Sequence, residues 1–520
     1  MPQSQRVPWP FPWMGLNTEL APDYIPAQAL AACDNMYYVG PDLLRSRGGF
    51  FVSYAGGGNP IQVMYYWRGE LFYADNDANL FHSSVQIPGV QCDITDMIGF
   101  STGLTERLII AEEPCARASE SFSASRSKSV SVSRSESRSP SRSRSASISK
   151  SGSKSRAASQ THSKTRTEPE TEFSPVAECR TLHIWDGTDY EPLTGTAVPC
   201  VRRIMVAYGR LWGTRDPNYP NRIYYSAVGD PTNWAGPWGE GGWFDVEPDH
   251  NGEVVDMIYW RDSIFILKER GTYNLTGSQP VSFQLRLWEL PVGTVLGTLA
   301  NCESGVLYTG QRGIYPLGRG HGGEAHNLVR SIRQAITTPL LTAKAAFAAE
   351  HGICVLVDGT TTAWVSNVDD RPDAWTKWTL PVAMHSVYQG PHLYFGGADG
   401  NIYRYSPDSV TDDTATITCS FKTGDWDMDE PVNVKNVRLA HGAMNAADNA
   451  TVEMSFYVDG AATPSHAVEM LAGADPVTVI KDINFECKRS LALGFEYRAL
   501  TGPCYFRSAS LDVDLKGARV

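Results

Sequence analysis

The chain offers few of the residue patterns that carry reactive chemistry. Its ten cysteines stand singly, at 33, 92, 115, 179, 200, 302, 354, 419, 487 and 504, with no CxxC pair and no Cys/His cluster at zinc-ligand spacing. That spacing argues against a zinc ribbon or a dithiol redox centre. Several cysteines sit in apolar strands, as Cys354 does in HGICVLV, so buried free thiols are expected. HExxH, GxSxG and Walker motifs are missing, and histidines such as His183, His321, His326, His351, His385 and His392 are scattered. The Gly-rich stretch from Gly318 to Gly323 does not lead from a strand into a helix and reads as a loop. A catalytic site, a metal and a cofactor are therefore not expected. Runs of about 18 apolar residues, which a membrane-spanning helix needs, are absent. The opening MPQSQRVPWPFPWMG lacks the succession of a signal peptide, so synthesis in the cytoplasm is expected. Amphipathic helical patterns are also scarce.

What is present is a repeat. The stretch MYYWRGELFYADNDANLF, Met64 to Phe81, returns in changed form as MIYWRDSIFILKERGTYNL, Met257 to Leu275. Looser copies lie at Val206 to Ser226, Cys302 to Leu317 and Val387 to Tyr405. Each reads as two short strands with period-two alternation, broken by Gly, Asn or Asp at the turn. Such a unit cannot bury its own apolar face, so several must pack around a shared core. A β-propeller solves this while protecting the sheet edges. Blade-like segments fall at roughly 60–85, 104–192, 200–235, 253–280, 300–318, 345–380 and 383–406, giving about seven blades, between six and eight if the first and last strands share one.

The formal charge of −12 conceals an asymmetry. Residues 116–167 hold twelve Lys or Arg against two Glu, or +10, which leaves −22 on the remainder. Within this arm every odd position from Ser119 to Thr167 is Ser or Thr except Ala157. Its apolar content is too low for independent folding. Two forms compete: a solvated arm that orders only on a partner, or an extended strand with hydroxyls on one face and cations on the other. The candidate contact residues are Arg126, Lys128, Arg134, Arg138, Arg142, Arg144, Lys150, Lys154 and Arg156. Leu108-Ile109-Ile110-Ala111 and Thr181-Leu182-His183-Ile184-Trp185 read as the hairpin from which the arm departs, and Cys115 and Cys179 flank its base. The arm should accordingly be dispensable for folding: a chain lacking 119–167 should be soluble, and recovery only as insoluble protein would contradict this.

The remainder divides around the repeats. Residues 1–50 read as a Pro-rich surface strap, with a short helical turn expected around Ala27 to Cys33 and a first strand after it. The propeller is expected over 51–410, interrupted by the arm at 116–172. One short helix is expected in the connector between Gly318 and Ala348, through Leu328, Ile332 and Ile336. Six strands with regular turn signals over 411–520 suggest a β-sandwich. The overall class is all-β.

Two acidic turns are candidate sites. Asp75-Asn76-Asp77-Ala78-Asn79 has the opening spacing of a calcium loop, but lacks Gly at its sixth place and Glu at its twelfth, so a hairpin turn is the better reading. Ser226 to Trp234 is similar to an Asp-box turn with altered spacing, and no carboxylate pair for a glycosidase stands out. The arm resembles arginine-serine domains only superficially, because the aromatic motifs of an RNA-recognition sheet are missing.

Four stretches carry a resemblance to a family. GLNTELAPDYIPAQALAACDNMYYVGPDLLRSRGGF (15–50), NRIYYSAVGDPTNWAG (221–236), DSIFILKERGTYNLTG (262–277) and FKTGDWDMDEPVNVKNVRL (421–439) resemble, in this order, segments of tailed-bacteriophage tail proteins of the nozzle or stabilisation type. The resemblance implies a non-enzymatic virion subunit in the tail or head-to-tail connection, a homo-hexameric ring with other tail or connector proteins as partners. Genomic DNA would pass through its channel without sequence-specific contact. An acidic body suits such a conduit, since it does not hold the phosphate backbone. The arm departs from the family pattern, and contact with a neighbour or the host surface is its expected role. A propeller adhesin or lectin for host glycans is the alternative, and an enzyme acting on surface polysaccharide the third reading.

Overall fold

The computed structural model describes residues 5–20, 24–90, 92–102, 105–113, 181–235, 240–289, 293–302, 305–310, 313–317, 327–328, 332, 335, 343–413, 415–429, 433–446, 451–471, 477–498 and 503–516. Among them there is no α-helix, and the chain is all-β. The nine arm residues named above lie outside the described residues, as does most of the 318–342 connector, of which Leu328 and Ile332 are buried.

Seven small antiparallel groups of strands follow one another along the chain, six as separate sheets and one, the sixth, as the end of a nine-stranded sheet. Four have four consecutive strands, over 61–87, 94–192, 203–245 and 254–289, and the fifth has three, over 300–317. The sixth spans 344–379, and the seventh joins Met384–Gln389, Leu393–Gly397 and Ile402–Ser406 to Gly49–Tyr54 from the opening segment. The second sheet begins with Ile94–Ser101, a strand earlier than its sequence segment suggested.

The two-residue turns of the repeats are encoded locally. Arg68-Gly69, Tyr208-Gly209 and Arg261-Asp262 each have both central φ angles positive, the geometry that matches the right-handed twist of a hairpin. The Arg68 and Arg261 guanidiniums lie 4.5 Å and 4.4 Å over the rings of Trp67 and Trp260, so the recurring Trp-Arg pair covers the turn by cation–π contact.

Apolar packing passes from each sheet to the next and closes on itself. Phe72 with Trp185 joins the first sheet to the second, Ile109 with Leu211 the second to the third, and Trp212 with Tyr273 the third to the fourth. Leu267 with Tyr308, then Leu307 with Leu356, continue through the fifth and sixth. Trp378 with Phe395 reaches the seventh, and Ile402 with Tyr73 returns to the first.

A second device stitches the same boundaries. The opening strands of the first, second, fourth and seventh sheets carry a bulge near their start, at Ile61/Val63, Ile94/Asp96, Val254/Asp256 and Met384/Ser386. A bulge re-aims the side chain that follows it. Asp96 accepts from Ile204 N at 2.9 Å and Ser386 donates to Ile61 O at 2.7 Å, each bond reaching the next sheet, while Asp256 accepts from Gly297 N at 3.3 Å, in the turn that leads into the next. Tyr65 and Tyr388 act further along, accepting from Gly99 N at 3.0 Å and Tyr66 N at 3.1 Å.

The C-terminal part forms two more layers whose buried faces share one core, one in a six-stranded sheet and the other continuing the nine-stranded sheet of the sixth group through Leu30–Asp34. Cys504–Lys516, Val434–Ala446 and Val477–Cys487 build one; Cys419–Thr423, Leu491–Arg498, Thr451–Val458 and His466–Leu471 build the other. Phe421, Phe495 and Phe506 meet between them with ring centroids 4.8–4.9 Å apart. His466–Leu471 is a seventh strand in a region where the sequence suggested six.

The opening segment departs from the strap expectation. Gln5–Pro8 pairs with the edge of Cys504–Lys516, Met36–Tyr38 and Leu44–Ser46 extend that sheet, and Trp9 and Leu16 are buried. The helical turn expected around Ala27 to Cys33 is instead the strand Leu30–Asp34. It lies between Cys419–Thr423 and a parallel bridge from Asp34 to Lys377, so long-range pairing overrides the helical preference of its alanines.

Candidate interaction site

The sequence places its candidate contacts in the arm, so the described part of that site is the arm's root. Leu108, Ile109, Ile110 and Ala111 pair antiparallel with Trp185, Ile184, His183 and Leu182. Glu112 N then donates to Thr181 O at 2.7 Å and Glu113 N to Asp93 O at 2.7 Å, so the chain leaves and re-enters the sheet at adjacent points.

Ionisable groups crowd this root. The Glu112 side chain is only 3% exposed, yet it takes a hydrogen bond from the Tyr190 hydroxyl and stands 3.7 Å from His183 Nδ1. His183 in turn stacks on Tyr190, centroids 4.8 Å apart. Burial pushes the Glu112 carboxyl up to about 7, against the opposing effect of the Tyr190 hydrogen bond. Burial, and then the neighbouring Glu112 charge, raise the Tyr190 phenol. Arg202 bridges to Glu113 at 2.7 Å beside this cluster. The sequence signal for it was the paired acid at the end of LIIAEE opposite a strand histidine, a pattern too common to single out alone.

The expectation of free thiols needs a correction here. Cys92 and Cys200 are disulfide-bonded. Cys33, Cys302, Cys354, Cys419, Cys487 and Cys504 are free and buried, and Cys115 and Cys179 lie outside the described residues. Cys92 and Cys200 differ from the six buried thiols in position: each precedes the first strand of a sheet rather than lying within a strand.

Glu112 has a pH consequence. Its folded-state carboxyl keeps its proton above the ordinary 4.5, so between about 4.5 and about 7 the folded chain binds more protons than the unfolded one. The associated stability is complete below about 4.5 and is lost as pH rises through about 7. At ~1.4 kcal/mol per pH unit over this window, the effect has an upper bound of about 3 kcal/mol. Urea unfolding at pH 5 and pH 8 should show this loss in the native chain and a smaller one in Glu112→Gln. Identical losses would refute the assignment.

A second surface feature lies on the third sheet. The Arg222 guanidinium sits 4.0 Å over Tyr219 and 3.5 Å over Trp243, and is held by both oxygens of Asp245 at 2.8 and 3.1 Å. Tyr219 and Trp243 are about half exposed. Arg222 falls in the NRIYYS stretch that carried part of the resemblance, although its aromatic partners were not legible there. An open cleft of about 580 Å³ also lies beside the opening segment, lined by Trp9, Gln28, Trp426, Met428 and Asp429.

The acidic turns are structural. Asp75 accepts from Asp77 N and Asn79 N, both at 3.0 Å, and from the Asn79 side chain at 2.8 Å. Asp230 caps Thr232 N at 2.9 Å while the buried Trp234 donates to Pro231 O at 2.7 Å. Their oxygens are engaged within the turn, as Asx geometry requires. Among the described residues no group of three or more His, Cys, Asp or Glu is placed to hold a metal ion.

No protein-family profile matches the chain, and no curated protein does. Solved structures with which it shares a distant likeness include BBS1N in complex with ARL6DN, 10% identical over 69% of this chain and 97% of that one, TM-score 0.40. Another is the extracellular domain of the hybrid two component system BT4673 from B. thetaiotaomicron, 10% identical over 68% and 39%, TM-score 0.42. Chaetomium thermophilum Raptor is 9% identical over 70% and 29%, TM-score 0.42. The chain thus spans well under half of the latter two, and likeness at these scores carries no argument about function.

Proposed function

We propose that the chain is a non-enzymatic structural subunit of a tailed-bacteriophage virion. In this reading the seven sheets are the blades of a β-propeller closed by Gly49–Tyr54, and the C-terminal sheets form a β-sandwich. Copies assemble as a ring, a homo-hexamer, around the DNA channel of the tail nozzle or head-to-tail connection.

The observation that carries the reading is where the resembling stretches fall. Arg222–Tyr225 is the third strand of its sheet, and Ser263–Lys268 with Gly271–Thr276 are the two middle strands of theirs. The stretch 15–50 supplies strands to both C-terminal sheets and reaches the closing strand. Charge is consistent with a conduit: −22 lies outside the basic arm.

The test is mass spectrometry and immunogold labelling of particles purified from cells that express the gene, with an antibody to a peptide within 125–164. Protein and gold at the tail or its junction with the head are expected. Particles that lack the protein should lose their DNA; unchanged retention and infection would sink the conduit role.

The exposed Tyr219–Arg222–Trp243 group favours a second reading, an adhesin for host glycans, since aromatic faces flanked by Arg and Asp suit sugar rings. Glycan binding that survives deletion of 119–167 and is lost in Trp243→Ala would put that reading first.

A further inference from the structure

The open cleft beside the opening segment has walls fixed by the fold. Gln5–Pro8 pairs with Cys504–Lys516 from Gln5 opposite Val513 to Pro8 opposite Ser510, and strand alternation sets Gln5 and Val7 on the face away from Arg6. Pro8 and Pro10 carry no N–H, so the chain leaves the ladder here on an extended path, with Trp9 N still bonded to Ala509 O at 2.8 Å. The other wall is the turn after Trp426, whose backbone exchanges hydrogen bonds with Leu491 at 3.0 and 2.9 Å. Met428 and Asp429 both lie at positive φ, +58° and +59°, and Asp427 Oδ1 takes Asp429 N at 3.0 Å, which sets the turn locally. Gln28 is the third element, its carbonyl bonded by Met14 N at 2.9 Å.

The size and lining define a ligand class. A volume of about 580 Å³ falls within the range of small-molecule sites, about 300–1,000 Å³. Trp9, Trp426 and Met428 make the lining largely aromatic and apolar, and Gln5, Gln28 and Asp429 supply its polar side chains. Asp429 is the one charged residue among those that line it. Arg6, next along the strand, is engaged elsewhere, with Asp512 and the His441 ring, both at 3.2 Å. An anion therefore finds no counter-charge in the lining.

The two indoles meet edge to face, centroids 5.2 Å apart and planes at 89°, so they do not form the parallel walls of a cage for an organic cation. Trp9 is 6% exposed while Trp426 is only partly buried, so Trp426 offers the accessible ring. Trp9 brings something else. Its buried indole N–H has no acceptor among the described residues, an unsatisfied donor on a residue that lines the cleft.

We infer that this cleft binds a neutral saccharide. A sugar ring presents an apolar C–H face edged with hydroxyls, and the lining has a partner for each part. Trp426 receives the apolar face. The Gln5 and Gln28 amides donate to and accept from hydroxyls, and the Asp429 carboxylate accepts from them. A sugar oxygen is the acceptor that Trp9 Nε1 lacks. The inference goes beyond both functional readings above: the site uses neither the Tyr219–Arg222–Trp243 group nor the arm, and it needs no ring.

The test titrates the purified full chain with maltose, lactose and diacetylchitobiose, read by saturation-transfer NMR and tryptophan fluorescence, with thermal unfolding as the check on folding. Saturable binding of at least one of them is expected, weakened about tenfold or more in Trp426→Ala, the equivalent of about 1.4 kcal/mol. Asp429→Asn keeps a residue that tolerates the left-handed turn and should weaken the same sugar severalfold. It decides the matter if Trp426→Ala fails to fold. No saturable binding of any of the three sugars would overturn the inference, as would unchanged affinity in Asp429→Asn. Saturable binding of tetramethylammonium in their place would make the cleft a cation site and overturn it too. Sugar binding that is lost in Trp243→Ala but kept in Trp426→Ala would move the sugar to the third sheet, favouring the adhesin reading and refuting this site.

Discussion

A chain that begins at Ala55 should not fold. Residues before it supply one strand to the seventh sheet and strands to both C-terminal sheets, and Leu30, Met36, Leu44 and Phe50 among them are fully buried. Burying four such side chains contributes about 6–12 kcal/mol, at ~1.5–3 kcal/mol each. A net stability of about 5–15 kcal/mol does not survive that loss. Expression of 55–520 should give aggregated protein without near-ultraviolet circular dichroism, and co-expression with 1–54 should restore part of the soluble yield. A soluble, monodisperse 55–520 with a cooperative unfolding transition would show that the opening segment is only a strap.

Arg47 is the single side chain on which this arrangement depends most. Its guanidinium, 3% exposed, donates to Asn35 Oδ1 at 2.7 Å, Gly48 O at 2.9 Å, Thr379 O at 2.8 Å and both Asp412 oxygens at 2.8 and 2.6 Å. It therefore ties the opening segment to the end of the sixth sheet and to the chain beyond the seventh. Arg47→Ala leaves Asp412 without its counter-charge in a largely buried place, at a cost of about 3–5 kcal/mol. Arg47→Met/Asp412→Leu should cost less than Arg47→Ala, because no orphaned charge remains and the volume is filled. Urea unfolding of the three chains tests this, and a loss under about 1 kcal/mol in Arg47→Ala would refute the clamp.

Much of the candidate site was legible only in outline. The hairpin that carries the arm could be read from LIIA and TLHIW, since two apolar strands must pair in register to bury one face. The Glu112–Tyr190–His183 cluster could not, because its members come from three strands and acquire their properties from burial. The Arg222 platform likewise depends on Trp243, a residue on the partner strand brought opposite Tyr224.

By itself the sequence determined the local units: period-two strands, two-residue turns with Gly or Asp, Asx-capped loops such as Asp75, and a Ser-rich arm too polar to build a core. These follow from interactions over a few residues and survive in any context. Only the tertiary structure decided that Leu30–Asp34 is a strand rather than a helical turn and that Gly49–Tyr54 completes a sheet with Ile402–Ser406. It also decided that Asp96, Arg203 and Asp256 meet. Such pairings join residues tens to hundreds of positions apart. Their gain appears only once the intervening chain is folded, so no local pattern announces them.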